Sequence, residues 1–395
     1  MTLPERCGTL IVGGGPAGSA LAALLARAGE RPVLVERDRF PREKLCGEFL
    51  SMEAQGHLRE LGCLDAVLAL APAEIRRARF VAPSGRSARF PLGGTALGIG
   101  RRVLDQALLE HARASGAEVF EGHEAAKLRE VPGGVEAAVV LRGGRESRLI
   151  FADLAVVAGG RQSAPPPPDG AALFAGLKRR HRPVSGSAAA ALAGLVEVHL
   201  FPGGYCGVSA VEDGAVNVCL LAEQRWLAAL DSPRWESAAA AMARLSPSLR
   251  ERLAMLEPAG DMLATARVRL DAADPGGGRI LRVGDAAGMI APLCGDGQAM
   301  ALESALLLAE LIAAGGPGLG KRWVKAWRRR FSIRLRLGRG LQGLLLRPAG
   351  AEAAAAVLGR LPSLAGALVR LTRGPKSRGS FDPCAPTASG YTLPR

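Results

Sequence analysis

The spacing of apolar residues changes character twice within the first 36 positions. Leu10-Ile11-Val12 is an unbroken apolar run, and Gly13 to Gly18 interrupts it with Gly, Pro and Ala. Apolar positions then recur at helical spacing as far as Glu30, and Val33-Leu34-Val35 is apolar again up to Glu36. This order predicts strand, tight turn, helix and parallel strand. Helical periodicity returns over 51–70 and 101–115, the latter with Leu104, Leu108 and Ala112 on one face. Residues 76–81 and 86–91 read as a hairpin around Pro83-Ser84-Gly85-Arg86. Short strands are predicted at 118–121, 127–131, 135–142 and 148–151, and the apolar run 153–160 as a separate, buried parallel strand.

The proline run 165–168 is a stiff connector into a second unit. There, 195–201, 205–211 and 215–221 alternate and predict an antiparallel meander. Val196, Val198 and Leu200 share one face of its first strand, and Glu197, His199 and Phe201 share the other, which is polar enough to line a pocket. Helical segments over 226–253, a strand at 267–270 and a glycine turn at 275–278 lead into an apolar strand that ends in Gly284-Asp285. The fold class is α/β. A Rossmann-like dinucleotide-binding domain is assembled from 1–75, 101–165 and 273–315, with an antiparallel β-sheet substrate domain from the hairpin 76–100 and from 166–272. A C-terminal basic helical region covers 316–372, and a tail rich in Pro, Ser, Thr and Gly covers 373–395.

Composition narrows the class. The 51 Gly and 26 Pro among 395 residues follow no Gly-X-Y period, so they mark turns and not collagen. The 7 Cys form no Cys-x-x-Cys pair and no zinc-like spacing with His, and their odd number fits a reducing cytoplasm. No basic stretch followed by an apolar run opens the chain, so a secretory leader is not expected. The longest apolar stretch, 299–314, is interrupted by Glu303 and Glu310 and falls short of the roughly 20 residues a bilayer requires.

The net charge of +14 is concentrated. Between Lys321 and Arg347 there are ten Lys/Arg and no Asp/Glu, interleaved with Trp323, Trp327, Phe331, Ile333, Leu335 and Leu337. A helix packing an apolar stripe on the body while its arginines reach into water accounts for this pattern, and peripheral contact with an anionic membrane surface through 321–347 is the alternative. No recognition motif accompanies the charge, so no nucleic-acid partner is expected.

The candidate chemistry lies at two glycine turns. In the first, Gly13, Gly15 and Gly18 form Gly-x-Gly-x-x-Gly between strand and helix, with Pro16 and Ala17 inside the turn. Gly13 permits the turn, Gly15 lets a pyrophosphate approach the helix N-terminus, and Gly18 lets helix and strand meet. Glu36, followed by Arg37, ends the next strand where a ribose hydroxyl would be held. In the second, Gly284-Asp285 closes a strand and Pro292-Leu293-Cys294-Gly295-Asp296-Gly297 precedes an apolar helix. The carboxylate suits a sugar-alcohol chain, and the positive helix end stabilises negative charge on a reduced flavin ring. Asp296 reads as the cap of that helix. Cys46 and Glu48 are candidates for proton transfer. If the meander's polar face meets substrate, His199 is a general base with Glu197, Phe201 and Tyr205 around the substrate; if it meets solvent, His199 and Glu197 are ordinary strand residues. His57, His111, His123 and His181 read as surface residues.

Together these residues resemble the FAD-dependent oxidoreductases of the p-hydroxybenzoate hydroxylase superfamily over about residues 6 to 315. Phe40-Pro-Arg-Glu-Lys-Leu-Cys-Gly-Glu48 and His199-Leu-Phe-Pro-Gly-Gly-Tyr-Cys-Gly207 resemble its geranylgeranyl reductase-like branch. The resemblance implies that Gly13, Gly15 and Gly18 bind the FAD pyrophosphate and Glu36 the adenosine ribose. It places Arg101 beside the FAD, Asp285 on the ribityl or pyrophosphate region, Pro292, Gly295 and Gly297 at the isoalloxazine, and Cys46, Gly47 and Glu48 near flavin and substrate. Where many relatives carry Ala-Asp-Gly, this chain has Ala158-Gly159-Gly160. None of its 4 Trp belongs to the Trp-x-Trp-x-Ile-Pro motif of tryptophan halogenases, which disfavours halogenation. The implied activity is a monooxygenase using NAD(P)H as transient donor and O2 to hydroxylate or oxidise a hydrophobic small molecule of polyketide or phenolic type. Saturation of prenyl double bonds is the alternative, and an FAD-bound peripheral membrane or assembly protein without turnover is the reading from another class.

Overall fold

The computed structural model describes residues 2–144, 146–163, 173–230, 232, 234–270, 273–361 and 373–374. The proline connector 165–168 and all of the tail beyond 374 lie outside them. Two sheets organise the molecule. In the first, Gly276–Gly277, Ile280–Arg282, Ser147–Val157, Arg6–Val12, Val33–Glu36 and Glu118–Glu121 lie side by side, parallel from Ile280–Arg282 onward. The hairpin of His123–Val131 and Gly134–Leu141 adds to Ser147–Val157.

The two strands expected at 148–151 and 153–160 are one. No Gly or Pro separates them, and Phe151 and Ala152 pair at once with the hairpin on one side and with Arg6 and Cys7 on the other. The helix expected over 51–70 is divided instead, into Met52–Leu61 and Leu64–Leu68, because Gly62 takes up a left-handed conformation with φ 79° and ends the first piece.

The second sheet runs Leu256–Pro258, Phe174–Pro183, Val216–Glu223, Gly204–Ala210, Gly194–Phe201, Ala73–Val81, Ser87–Gly98 and Phe49–Leu50. Gly194–Phe201 and Ala73–Val81 pair in parallel, so the sheet is mixed and not purely antiparallel. The strand Phe174–Pro183, which pairs with Val216–Glu223, Leu256–Pro258 and Leu263–Val268, was not predicted from the sequence.

The largest core cluster joins the glycine-loop helix Pro16–Arg27, the helix Arg101–Ala114 and the apolar helix Gly297–Ala313. Trp323, Trp327 and Phe331 of the basic helix Leu319–Leu345 are buried in the same cluster. Burying such aromatic side chains contributes about 1.5–3 kcal/mol each. Among the described residues, no helix is long and apolar enough to cross a membrane.

Candidate functional site

A cavity of about 770 Å³ lies between the two sheets. One end is built by the two glycine turns: Gly13, Gly15, Glu36, Gly284, Asp285 and Gly297 all line it. The chain folds this way for steric reasons. Gly13 has φ 109°, and a Cβ on Gly18 would sit 1.9 Å from the carbonyl oxygen of Gly13, so only glycine lets the helix start against the strand. Glu36 is held by the amides of Gly14, at 2.7 Å, and Asp38, at 2.9 Å.

Cations converge on this end. Arg101 donates two hydrogen bonds of 2.7 Å to buried Asp105, and Arg42 donates one of 3.0 Å to the same carboxylate. Arg37, Arg42, Lys44, Arg101 and Arg161 line the cavity. Burial, followed by the positive charges of Arg42, Arg101 and Arg161, lowers the Lys44 pKa to about 8. Burial raises the Asp285 pKa, against the pull of Arg161, Arg101 and Lys44. A half-buried ammonium pushed down by desolvation and by neighbouring arginines is suited to an anionic partner such as a diphosphate. With the glycine cradle, Glu36 and Asp285, the donor set fits FAD.

The sign of the resulting pH dependence follows. An anion raises the Lys44 pKa above its free-protein value near 8, so FAD affinity is full below pH 8 and falls as pH rises through that value. The dissociation constant should rise by up to about tenfold per pH unit until the bound-state pKa is reached. Fluorescence titration from neutral to alkaline pH checks this, and Lys44→Met should flatten the profile.

The loop that carries Cys46 closes the middle of the cavity. Its sulfur receives the Glu48 amide at 3.4 Å and the Gln298 side-chain amide at 3.7 Å. Asn217 donates to the Cys46 carbonyl at 3.0 Å, tying the loop to the second sheet. Glu48 is fully buried, has φ 56° and accepts the Arg101 amide at 3.0 Å. The sequence did not reveal its main partner: Lys178, 1% exposed, pairs with Glu48, with Glu43 at 3.0 Å and with the Lys44 carbonyl at 3.3 Å. Burial raises the Glu48 pKa against the pull of Lys178. The side chain therefore serves as an ion-pair anchor for the loop.

Beyond Cys46 the lining turns apolar. Phe80, Val196, Val198, Tyr205, Leu293 and Leu345 are among the residues that form it. Burial pushes the Tyr205 phenol up, so it is a neutral hydroxyl. The pocket-facing side of the meander is thus the Val196, Val198 and Tyr205 side. Glu197, His199 and Phe201 lie on the opposite face, where the expected general base and two of the expected substrate contacts have no access to the cavity. There Glu197 accepts two bonds from Arg252, at 2.7 and 2.9 Å, one from Arg79 at 3.1 Å, and meets His199 Nε2 at 3.3 Å. Phe201 packs on Trp226. Both faces of this sheet are covered, so the polarity of the Glu197 and His199 face marks a buried ion-pair cluster and not the cavity wall.

Other expectations are corrected as well. Asp296 does not cap its helix; its carboxylate accepts from Arg334 at 2.6 Å and from Ser51 at 3.3 Å, and burial raises its pKa to about 6. His57 and His181 are buried, the latter against Trp235, and desolvation lowers the His181 pKa to about 4. His123 lines the cavity and is not a plain surface residue. Pro16, Ala17, Pro292 and Gly295 line the nucleotide end. Arg42 and Lys44 were present in the charged loop after Glu36, but nothing in that loop marked them as facing inward.

Residues 6–175 match the family described as an FAD binding domain. The chain is similar to menaquinone reductase of Mycolicibacterium smegmatis, at 29% identity covering 79% of this chain and 77% of that protein. It is 37% identical to a flavin-dependent halogenase of Metacordyceps chlamydosporia over 31% of this chain, but spans only 23% of the halogenase. Among solved structures, a geranylgeranyl bacteriochlorophyll reductase-like protein from Thermoplasma acidophilum superposes with TM-score 0.77 at 20% identity, over 94% of this chain and 96% of that one. The flavin-dependent brominase Bmp2 superposes with TM-score 0.76 at 17% identity, over 93% of each chain. At these identities the structural likenesses establish the fold.

Proposed function

We propose, for a chain that is an FAD-dependent oxidoreductase of the p-hydroxybenzoate hydroxylase superfamily, that it oxygenates a hydrophobic small molecule of polyketide or phenolic type, with NAD(P)H as transient electron donor. One observation carries this reading: a single cavity joins a cationic, glycine-lined end to a region lined by Phe80, Val196, Val198, Leu293 and Leu345, with Arg79 and Arg373 also among its lining residues. When bound, FAD supplies hydride acceptance and, once reduced, reactivity toward O2. The chain's own residues supply the rest. Arg42, Lys44, Arg101 and Arg161 would hold its diphosphate, and Asp285 would accept hydrogen bonds from its sugar-alcohol chain. The N-terminus of Gly297–Ala313 faces the cavity and favours negative charge there. The apolar walls exclude water, which strengthens these interactions and protects reactive species.

Cys46 and Tyr205 both line the cavity and are the sulfur and hydroxyl that this geometry offers to substrate. With His199 on the far side of the sheet, His123 is the imidazole that lines the cavity among the described residues.

The menaquinone reductase relative favours a second reading, in which the same reduced flavin saturates a double bond of a prenyl chain. Incubation with FAD, NAD(P)H and candidate phenols or prenyl lipids, under air and under nitrogen, separates the two. A product that gains one oxygen, in air only, supports oxygenation. A product that gains two hydrogens under nitrogen overturns it in favour of reduction.

A further inference from the structure

The basic helix Leu319–Leu345 presents two apolar stripes. Trp323, Trp327 and Phe331 face the body and are buried. Ile333, Leu337 and Leu344 form the other, at spacings of four and seven residues along one line of the helix, and they are 59%, 44% and 54% exposed. Exposed Arg329, Arg336 and Arg347 flank this outer line. Across the turn, Val357 and Leu361, at the end of the helix Pro348–Arg360, are also exposed. Leu344 and Val357 line the cavity as well, so its apolar end opens on this face.

We propose that this outer stripe is a docking face for an anionic lipid surface. An apolar line bordered by cations is the pattern by which a helix lies in a bilayer interface, with the apolar side chains entering the acyl boundary and the arginines meeting headgroup phosphates. Charge decides between occupants. Of the ten Lys/Arg of segment 321–347, Arg330 and Arg334 pair with Glu303 and Asp296 on the body side. Lys321, Lys325, Arg328, Arg329, Arg336 and Arg347 are exposed and the segment carries no Asp/Glu, so a second copy of the chain would bring like charges together, whereas anionic lipid neutralises them. The docked orientation places the cavity mouth at the membrane, where a lipophilic substrate enters without crossing water. The inference does not depend on which reaction the flavin performs.

Cosedimentation of the full-length, FAD-loaded protein with vesicles tests it. Vesicles of equal parts phosphatidylglycerol and phosphatidylcholine should bind the protein at low salt, and high salt should release it. Vesicles of phosphatidylcholine alone should bind at least about tenfold more weakly. Ile333→Ser/Leu337→Ser and Arg329→Glu/Arg336→Glu should each lower binding to anionic vesicles by at least about tenfold, with FAD content and thermal midpoint unchanged. Wild-type protein that stays in the supernatant, or variants that bind like wild type, would overturn the proposal. So would a serine variant that turns a dimer into a monomer on gel filtration, which assigns the face to a second copy. Turnover of a detergent-dispersed substrate reports on the redox reading separately.

Discussion

Lys178→Met should destabilise the protein by about 3–5 kcal/mol, the cost of leaving a buried charge without its partner. Lys178 and Glu48 are 1% and 0% exposed, and the second oxygen of Glu48 has no hydrogen-bond partner among the described residues. With the ammonium removed, Arg180 at 3.8 Å is the nearest remaining cation to that carboxylate among the ion pairs seen here. Denaturant titration measures the loss. Its pH dependence carries a sign: the folded-state pKa of Glu48 is already raised above 4.5 and rises further in the variant. Such a group costs stability above its unfolded pKa and nothing below it, so the gap between variant and wild type should narrow as pH falls from 7 toward 4.5. Lys178→Met/Glu48→Gln should recover part of the loss, because a neutral amide replaces the stranded charge. An undiminished gap at acid pH would show that the carboxylate is not the source. The same variant should loosen the loop around Cys46, because Lys178 also holds the carbonyl of Lys44.

The glycine turns were legible in the sequence because each depends on a backbone requirement: Gly13 on a positive φ and Gly18 on the closeness of another main-chain atom. Requirements of that kind name the residue type directly. The pocket face was not legible. Alternation separates Val196 and Val198 from Glu197 and His199 but cannot say which side is inward, and polarity misleads when Arg79 and Arg252 satisfy a buried carboxylate. Lys178 was hidden for a related reason: its partner Glu48 lies 130 positions away, so a local reading sees only a charge run. Asp296 reads as a cap because its neighbours are glycines at a helix start, while the arginine that occupies it comes from another helix, 38 positions on.

The account rests on both glycine turns gripping one FAD. Asp285 belongs to the second turn and lines the same cavity as Gly13 and Gly15 of the first. A carboxylate that accepts hydrogen bonds from a sugar-alcohol chain contributes about 1.5–3 kcal/mol, so its loss should weaken binding by roughly ten- to a hundredfold. Titration of flavin-free wild type and Asp285→Ala with FAD, followed by the flavin's fluorescence, measures both halves of the site at once. One FAD bound per wild-type chain, with affinity reduced by that factor in Asp285→Ala, is the predicted result. Failure of the wild type to take up FAD, or a variant that retains it as tightly as wild type, would contradict the shared site.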